Sequence, residues 1–219
     1  MIVFLEDVLS PAHVGAFVKV LEAEHLFESG SRTAGRLAKS QKQNLQALNA
    51  QPEVARILKQ VREDLSQHSV FRSFAVPAKL GRVMVSRYEP SMQYGSHFDD
   101  AFIDGVRTDL SFTVFLSDPD SYQGGELELT TPSGSQAIKL PAGCAIVYPS
   151  DHLHAVLPVT SGVRLAVVGW VRSRVKSSEQ RQLLHDLDNA TAALGDEVSR
   201  EVIMRLKFVR NNLLRMWSD

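Results

Sequence analysis

Between Val70 and Ser173 the chain breaks into short runs rich in β-branched and aromatic residues, each closed by Gly, Pro or Asp. RVMVSRYE, LSFTVFLS, GELELTT, QAIKLPAG, CAIVYP and VRLAVVGWV all have strand length. No helical pattern separates them, which argues against a parallel α/β sheet and for an antiparallel barrel, sandwich or jelly roll.

The flanks read as helix. After a short apolar strand in MIVFLEDVLS, Ser10 and Pro11 stand where an N-cap and a first helical residue belong, and Val14, Phe17, Val18 and Leu21 recur at helical spacing. A second helix is expected around Gln41 to Ala47. A third is expected over about Pro52 to His68, with Val54, Ile57, Leu58 and Val61 on one face. Beyond Ser177, EQRQLLHDLDNATAAL and EVSREVIMRLKFVRNNLLRMW are two further candidates, with Gly195 and Asp196 between them. The expected organisation is a mainly helical region over 1–77, a β core over 78–174 and a helical tail over 175–219.

At 219 residues the chain suits one compact domain with additions. Its formal net charge is -1 and its pI near 6.7, so no global positive field favours nucleic acid or an anionic membrane. The N-terminus has no basic leader, and no apolar run approaches the ~18 residues a membrane span needs. A single cysteine, Cys144, excludes an intramolecular disulfide and fits a reducing compartment; its apolar surroundings suggest a small buried hydrophobe. These features together describe a soluble, cytoplasmic protein.

The β region also carries metal-binding residue types. In YGSHFDD, His97 and Asp99 are two apart, and residues i and i+2 of a strand share a face. Further on, YPSDHLHAVLPV supplies His152 and His154. Two histidines and one carboxylate on one side of a metal leave the other positions open, the facial triad of non-haem iron(II) oxygenases. By parity either His152 or His154 can share the face. Ten residues past His154, Arg164 is a lone cation in an apolar run. A buried arginine is costly unless it meets an anion. It either makes a structural salt bridge or offers a planar fork to a carboxylate of a bound diacid.

HFD, His154 and Arg164 together resemble the 2-oxoglutarate/iron(II) dioxygenases. YEPSMQYGSHFD is similar to the YxxGxxYxxHxD of the prolyl and lysyl hydroxylase type, with Tyr88 and Tyr94 matching its tyrosines and Ser91 standing where the pattern has glycine. TAGRLAKSQKQNLQ, RTDLSFTVFLSDPDSYQGGELEL and LPAGCAIVYPSDHLHAVLPVTSGVRLAVVGWV extend the likeness to the bacterial PKHD-type hydroxylases over nearly the whole chain.

That resemblance implies an α+β fold with a double-stranded β-helix core, the cupin-like jelly roll. It implies His97, Asp99 and His154 as iron(II) ligands, the HAV context selecting His154 over His152. It further implies Arg164 as the 2-oxoglutarate anchor, with Tyr88, Thr113, Gly125 and Leu127 about the co-substrate pocket. Trp170, six residues past Arg164, shares its face by parity and either packs nearby or is a plain core aromatic. Asp100 and Asp104 read as loop residues; His13, His25, His68 and His185 read as structural. The implied reaction is hydroxylation of a peptidyl or amino-acid-like substrate with release of succinate and CO₂, ascorbate serving as reductant, in a role linked to iron acquisition. Two alternatives stay open: a cupin-like metal sensor without turnover, and a zinc isomerase or hydrolase on the same barrel. The apolar C-terminal helices suggest a homodimer.

Overall fold

The computed structural model describes residues 1–33, 41–131, 134–195 and 198–219. Part of the TAGRLAKS stretch, and Asp196, lie outside the described residues. The strands are β1 (Val3–Leu5), β2 (Phe27–Ser29), β3 (Lys42–Gln43), β4 (Leu45–Ala47), β5 (Pro77–Tyr88), β6 (Gln93–His97), β7 (Phe102–Ile103) and β8 (Val106–Arg107). They continue as β9 (Leu110–Phe115), β10 (Gln123–Gly124), β11 (Leu127–Thr131), β12 (Gly134–Ile138), β13 (Ala145–Pro149), β14 (Leu153–Val156), β15 (Val159–Ser161) and β16 (Arg164–Ser173).

Two antiparallel sheets face each other. The larger has the order β1-β13-β9-β16-β5-β4-β2; the smaller is β12-β11-β14-β6-β3. Together they form the jelly-roll core expected of the chain. Alternation along the larger sheet sorts its side chains between two destinations. Val83 and Val85 of β5, Leu110 and Val114 of β9, and Leu165 and Val167 of β16 pack into the main hydrophobic core, beneath the N-terminal helices. Met84, Ser86 and Tyr88 of β5, Ser111 and Thr113 of β9, and Arg164 and Val168 of β16 face the space between the sheets.

Helix α1 (Pro11–Val20) is capped as its sequence suggests, Ser10 Oγ accepting from the backbone N–H of His13 at 3.2 Å. Helix α2 (Pro52–Gln67) buries Val54, Ile57, Leu58, Val61 and Leu65, one apolar stripe against the sheet. His68 separates it from α3 (Ser69–Ala75): its Nδ1 accepts from Phe71 N–H at 3.4 Å and its Nε2 donates to Glu6 O at 2.9 Å. At the far end lie α4 (Ser178–Ala193) and α5 (Arg200–Trp217).

The helix expected around Gln41 to Ala47 is not formed. These residues make β3 and β4, one in each sheet. The physical reason is their alternation: Lys42, Asn44 and Gln46 all face the inter-sheet cavity, a period of two that a helix would scatter around its axis. The N-terminal region is therefore woven into both sheets as well as covering one. Cys144, expected to be buried, is only half-buried, immediately before β13. Among the described residues no helix is long and apolar enough to cross a membrane.

Candidate active site

A cavity of about 810 Å³ opens between the two sheets. His97 ends β6 and His154 lies in β14; the antiparallel pairing sets them directly opposite, with ring centroids 4.2 Å apart. Asp99 follows just past the end of β6. One potential ligand atom from each of the three lies within 4.8 Å of the others, and His154 Nε2 is 3.8 Å from Asp99 Oδ2.

The surroundings prepare these atoms for a cation. His97 Nδ1 sits 2.8 Å from Gly95 O, and His154 Nδ1 sits 2.9 Å from His152 O. Each ring donates its Nδ1–H to a carbonyl two residues earlier, which leaves the Nε2 lone pair for the shared space. Burial, reinforced by the neighbouring His154 ring, pushes the His97 pKa down to about 4, so the imidazole is neutral and able to ligate near neutral pH. Ser111 Oγ donates to Asp99 Oδ2 at 2.5 Å and is itself 2.8 Å from Ser150 Oγ. This holds the carboxylate in place beyond the end of its strand. The Tyr94 ring stacks on His97 at 3.6 Å between centroids, and Tyr148 meets His154 edge-on at 5.3 Å.

Arg164 stands on the opposite sheet, paired across β5–β16 with Tyr88. It is 1% exposed, and among the described residues its Nε and Nη1 have no hydrogen-bond partner within 3.5 Å, the neighbouring Tyr122 hydroxyl being equally unpaired. No acid meets it. The guanidinium carbon lies 5.3 Å from the Tyr88 ring and 5.5 Å from the Phe115 ring. Of the two readings left open by the sequence, the structural salt bridge is thus absent among the described residues. Buried charged donors facing a cavity without partners need an anion. Gly125 explains how the stem fits: φ is +69°, and a Cβ there would come 3.0 Å from Arg164 Cδ and 2.9 Å from Val159 Cγ2.

Tyr88, Thr113 and Leu127 line the same cavity, as does Trp170, whose buried indole N–H lacks an acceptor. Burial raises the Tyr88 pKa to about 12, partly offset by Arg164, so its phenol stays protonated. His152 is outside the cluster; its ring faces Asp151 at 3.3 Å. Asp100 and Asp104 lie at the cavity mouth, where Asp104, at the tip of the β7–β8 hairpin, is paired with Arg82. His13 binds Asp64, and His185 binds Ser73, both away from the cavity.

Sequence reading alone missed Ser111, Tyr148, Lys42 and Met84. The available signal was alternation: in RVMVSRY, residues 82, 84, 86 and 88 all line the cavity. Lys42 is notable for its burial, which lowers its pKa to about 8 against the opposing pull of Asp99.

Comparison with known proteins agrees with this geometry. Residues 83–172 match the 2OG-Fe(II) oxygenase superfamily, and residues 179–219 match the PKHD-type hydroxylase C-terminal domain. A PKHD-type hydroxylase of Maricaulis maris is 50% identical over 88% of each chain. Another, from Parvibaculum lavamentivorans, is 42% identical over the full length of both.

The chain belongs to the PKHD-type hydroxylases.

As a PKHD-type hydroxylase it is an enzyme of the 2-oxoglutarate- and iron(II)-dependent oxygenase class. Its fold is shared with a Pseudomonas putida prolyl-4-hydroxylase, at 21% identity and TM-score 0.56, covering 79% of this chain and 92% of that one. It is also shared with a Trichoplax adhaerens prolyl hydroxylase solved with a hypoxia inducible factor peptide fragment, at 13% identity and TM-score 0.61, covering 84% and 86%. The Ser91 departure now has a conformation. Its φ is +74°, the left-handed region that favours glycine, so serine occupies a glycine geometry without altering it.

Proposed function

We propose that this PKHD-type hydroxylase holds iron(II) through His97, Asp99 and His154 and 2-oxoglutarate through Arg164, and hydroxylates a peptidyl or amino-acid-like substrate with release of succinate and CO₂. The observation that carries the reading is the pairing of two features on opposite sheets. One is a two-histidine, one-carboxylate cluster within 4.8 Å, both rings oriented by backbone carbonyls. The other is a buried guanidinium with two donors unmet.

The donor set fits iron(II): two neutral imidazoles and a carboxylate occupy one side and leave the rest to small ligands. When bound, iron and 2-oxoglutarate supply O₂ activation, coupling oxidative decarboxylation to insertion of one oxygen into a C–H bond. The chain's residues do the rest. Ser111 orients Asp99. Arg164 receives the far carboxylate of the diacid through Nε and Nη1, with Tyr88 and Thr113 beside it, Leu127 on the apolar wall and Gly125 making room for the Arg164 stem. The buried walls exclude water from the reacting centre. Ascorbate keeps the iron ferrous in this reading, and the family resemblance extends the role to iron acquisition.

We take 78–174 as the catalytic unit and 1–77 and 175–219 as its supports. The near-neutral charge supports a soluble cytoplasmic enzyme without nucleic-acid or membrane partners. A metal sensor without turnover, or a zinc hydrolase, has no use for the unmet Arg164 donors. The test is succinate formation from 2-oxoglutarate with iron(II) and O₂, compared with Arg164→Ala. Turnover that depends on Arg164 is expected. Absence of succinate from iron-loaded protein, with candidate peptides and amino acids supplied, would sink the oxygenase reading in favour of a sensor.

A further inference from the structure

None of the described residues of the C-terminal module matched over 179–219 lines the cavity. Helix α5 is fastened to the body on one side only. Leu213, Leu214 and Trp217 pack on a small core with Val175 and Leu184, and Arg210 forms a bidentate ion pair with Asp188. The flank beside that contact carries apolar side chains into solvent. Val202 is 42% exposed, Phe208 67%, Val209 47% and Met216 74%.

These positions are ordered along the helix. Val202, Val209 and Met216 are spaced by seven, and so form one stripe along ~21 Å of the 18-residue helix. Phe208, also exposed, lies about 100° round the helix from Val209 and outside that stripe. Apolar residues seven apart give a narrow stripe that a second helix can cover; the residues three further on, Arg205 and Asn212, are polar, so the stripe is one residue wide.

The stripe is symmetric about its centre. If two copies of α5 cross antiparallel with Val209 on the twofold axis, Val202 of each meets Met216 of the other. The charges then follow the same symmetry. Glu201 at one end of the helix approaches Arg215 at the other end of the partner, and the pair occurs twice. Among the described residues Glu201 pairs with Arg205, at 3.3 Å with both side chains largely exposed, an arrangement worth little. A parallel crossing would instead set Glu201 against Glu201 and Arg215 against Arg215.

We propose that this protein is a twofold dimer of identical chains, closed by antiparallel packing of α5 on α5. The same patch serves both subunits, and the interface is apolar at its centre and charged at its ends.

Sedimentation of the full-length protein over a wide concentration range tests the arrangement. Twice the 24.3 kDa chain mass is expected. Val209→Glu, which sets two carboxylates against each other on the axis, should yield monomer with an unchanged circular dichroism spectrum. Met216→Lys, at the most exposed position, serves the same purpose if the first variant misfolds. Glu201→Arg and Arg215→Glu should each raise the dimer dissociation constant about tenfold, since each turns two attractive contacts into like-charge ones. The double exchange should restore it. A monomeric wild type, a different stoichiometry, or a dimer indifferent to both apolar variants would overturn the proposal; failure of the double exchange to restore affinity would overturn the antiparallel orientation.

Discussion

Replacing Arg164 by methionine should make the protein more stable and less able to bind its co-substrate at once. The guanidinium is 1% exposed with Nε and Nη1 unpaired, so the free protein carries a desolvated charge without an anion. Its cation–π contacts with Tyr88 and Phe115 recover part of that cost, each ~0.5–2 kcal/mol at best. The desolvation penalty of a buried ion is several kcal/mol, and methionine retains most of the packing stem. A net gain of about 1–2 kcal/mol follows for the ligand-free protein, or ~2–8 °C in Tm at 2–4 °C per kcal/mol for a chain of this size. The opposite effect appears when 2-oxoglutarate is added. Two charge-assisted hydrogen bonds at ~1.5–3 kcal/mol each are lost, enough to weaken binding by a factor of about 10² to 10⁴. Thermal melting with and without 2-oxoglutarate, in the presence of a redox-inert divalent metal, reads both quantities. A variant that melts lower than wild type without ligand, yet still gains stability from 2-oxoglutarate, would refute the assignment of Arg164.

Three further outcomes are expected. Ser111→Ala removes the 2.5 Å bond that orients Asp99 and should weaken metal binding by about 10- to 100-fold with little change in Tm, as followed by metal titration. Ser91→Gly relieves a φ of +74° and should raise Tm slightly, by about 1 kcal/mol of strain less the entropy glycine adds to the unfolded chain; a fall in Tm would show that the serine side chain is needed. Gly125→Ala should both destabilise the fold and raise KM for 2-oxoglutarate, because the new methyl group presses on Val159 and the Arg164 stem; equal KM values would separate Gly125 from the co-substrate pocket.

How much of this was legible beforehand depended on the range of the information. His97 and Asp99 drew attention through a spacing of two, which places residues on one face only within a strand; β6 ends at His97, and Asp99 reaches the same space from beyond the strand end. The α1 cap at Ser10 and the apolar stripe of α2 were equally local. Arg164 was visible as a charge in the wrong company, and among the described residues no acid pairs with it. The choice of His154 over His152 needed the resemblance, since parity allows both; the structure pairs His154 opposite His97 and leaves His152 beside Asp151. Ser111 and Tyr148 were unreadable because their meaning arises from the pairing of β9 with β13, which places Ser111 opposite Tyr148 from 37 residues away. The segment from Gln41 to Ala47 failed for a related reason. Its polar residues have no apolar periodicity to betray a strand, because the surface they face is a cavity and not a core.

The central claim is that His97, Asp99 and His154 share one metal ion. Anaerobic iron(II) titration of the wild type and of four alanine variants tests it most directly. One ion per chain is expected for the wild type and for His152→Ala, with binding lost in His97→Ala, Asp99→Ala and His154→Ala. Iron retained at full affinity in any of those three, or lost in His152→Ala alone, would contradict it.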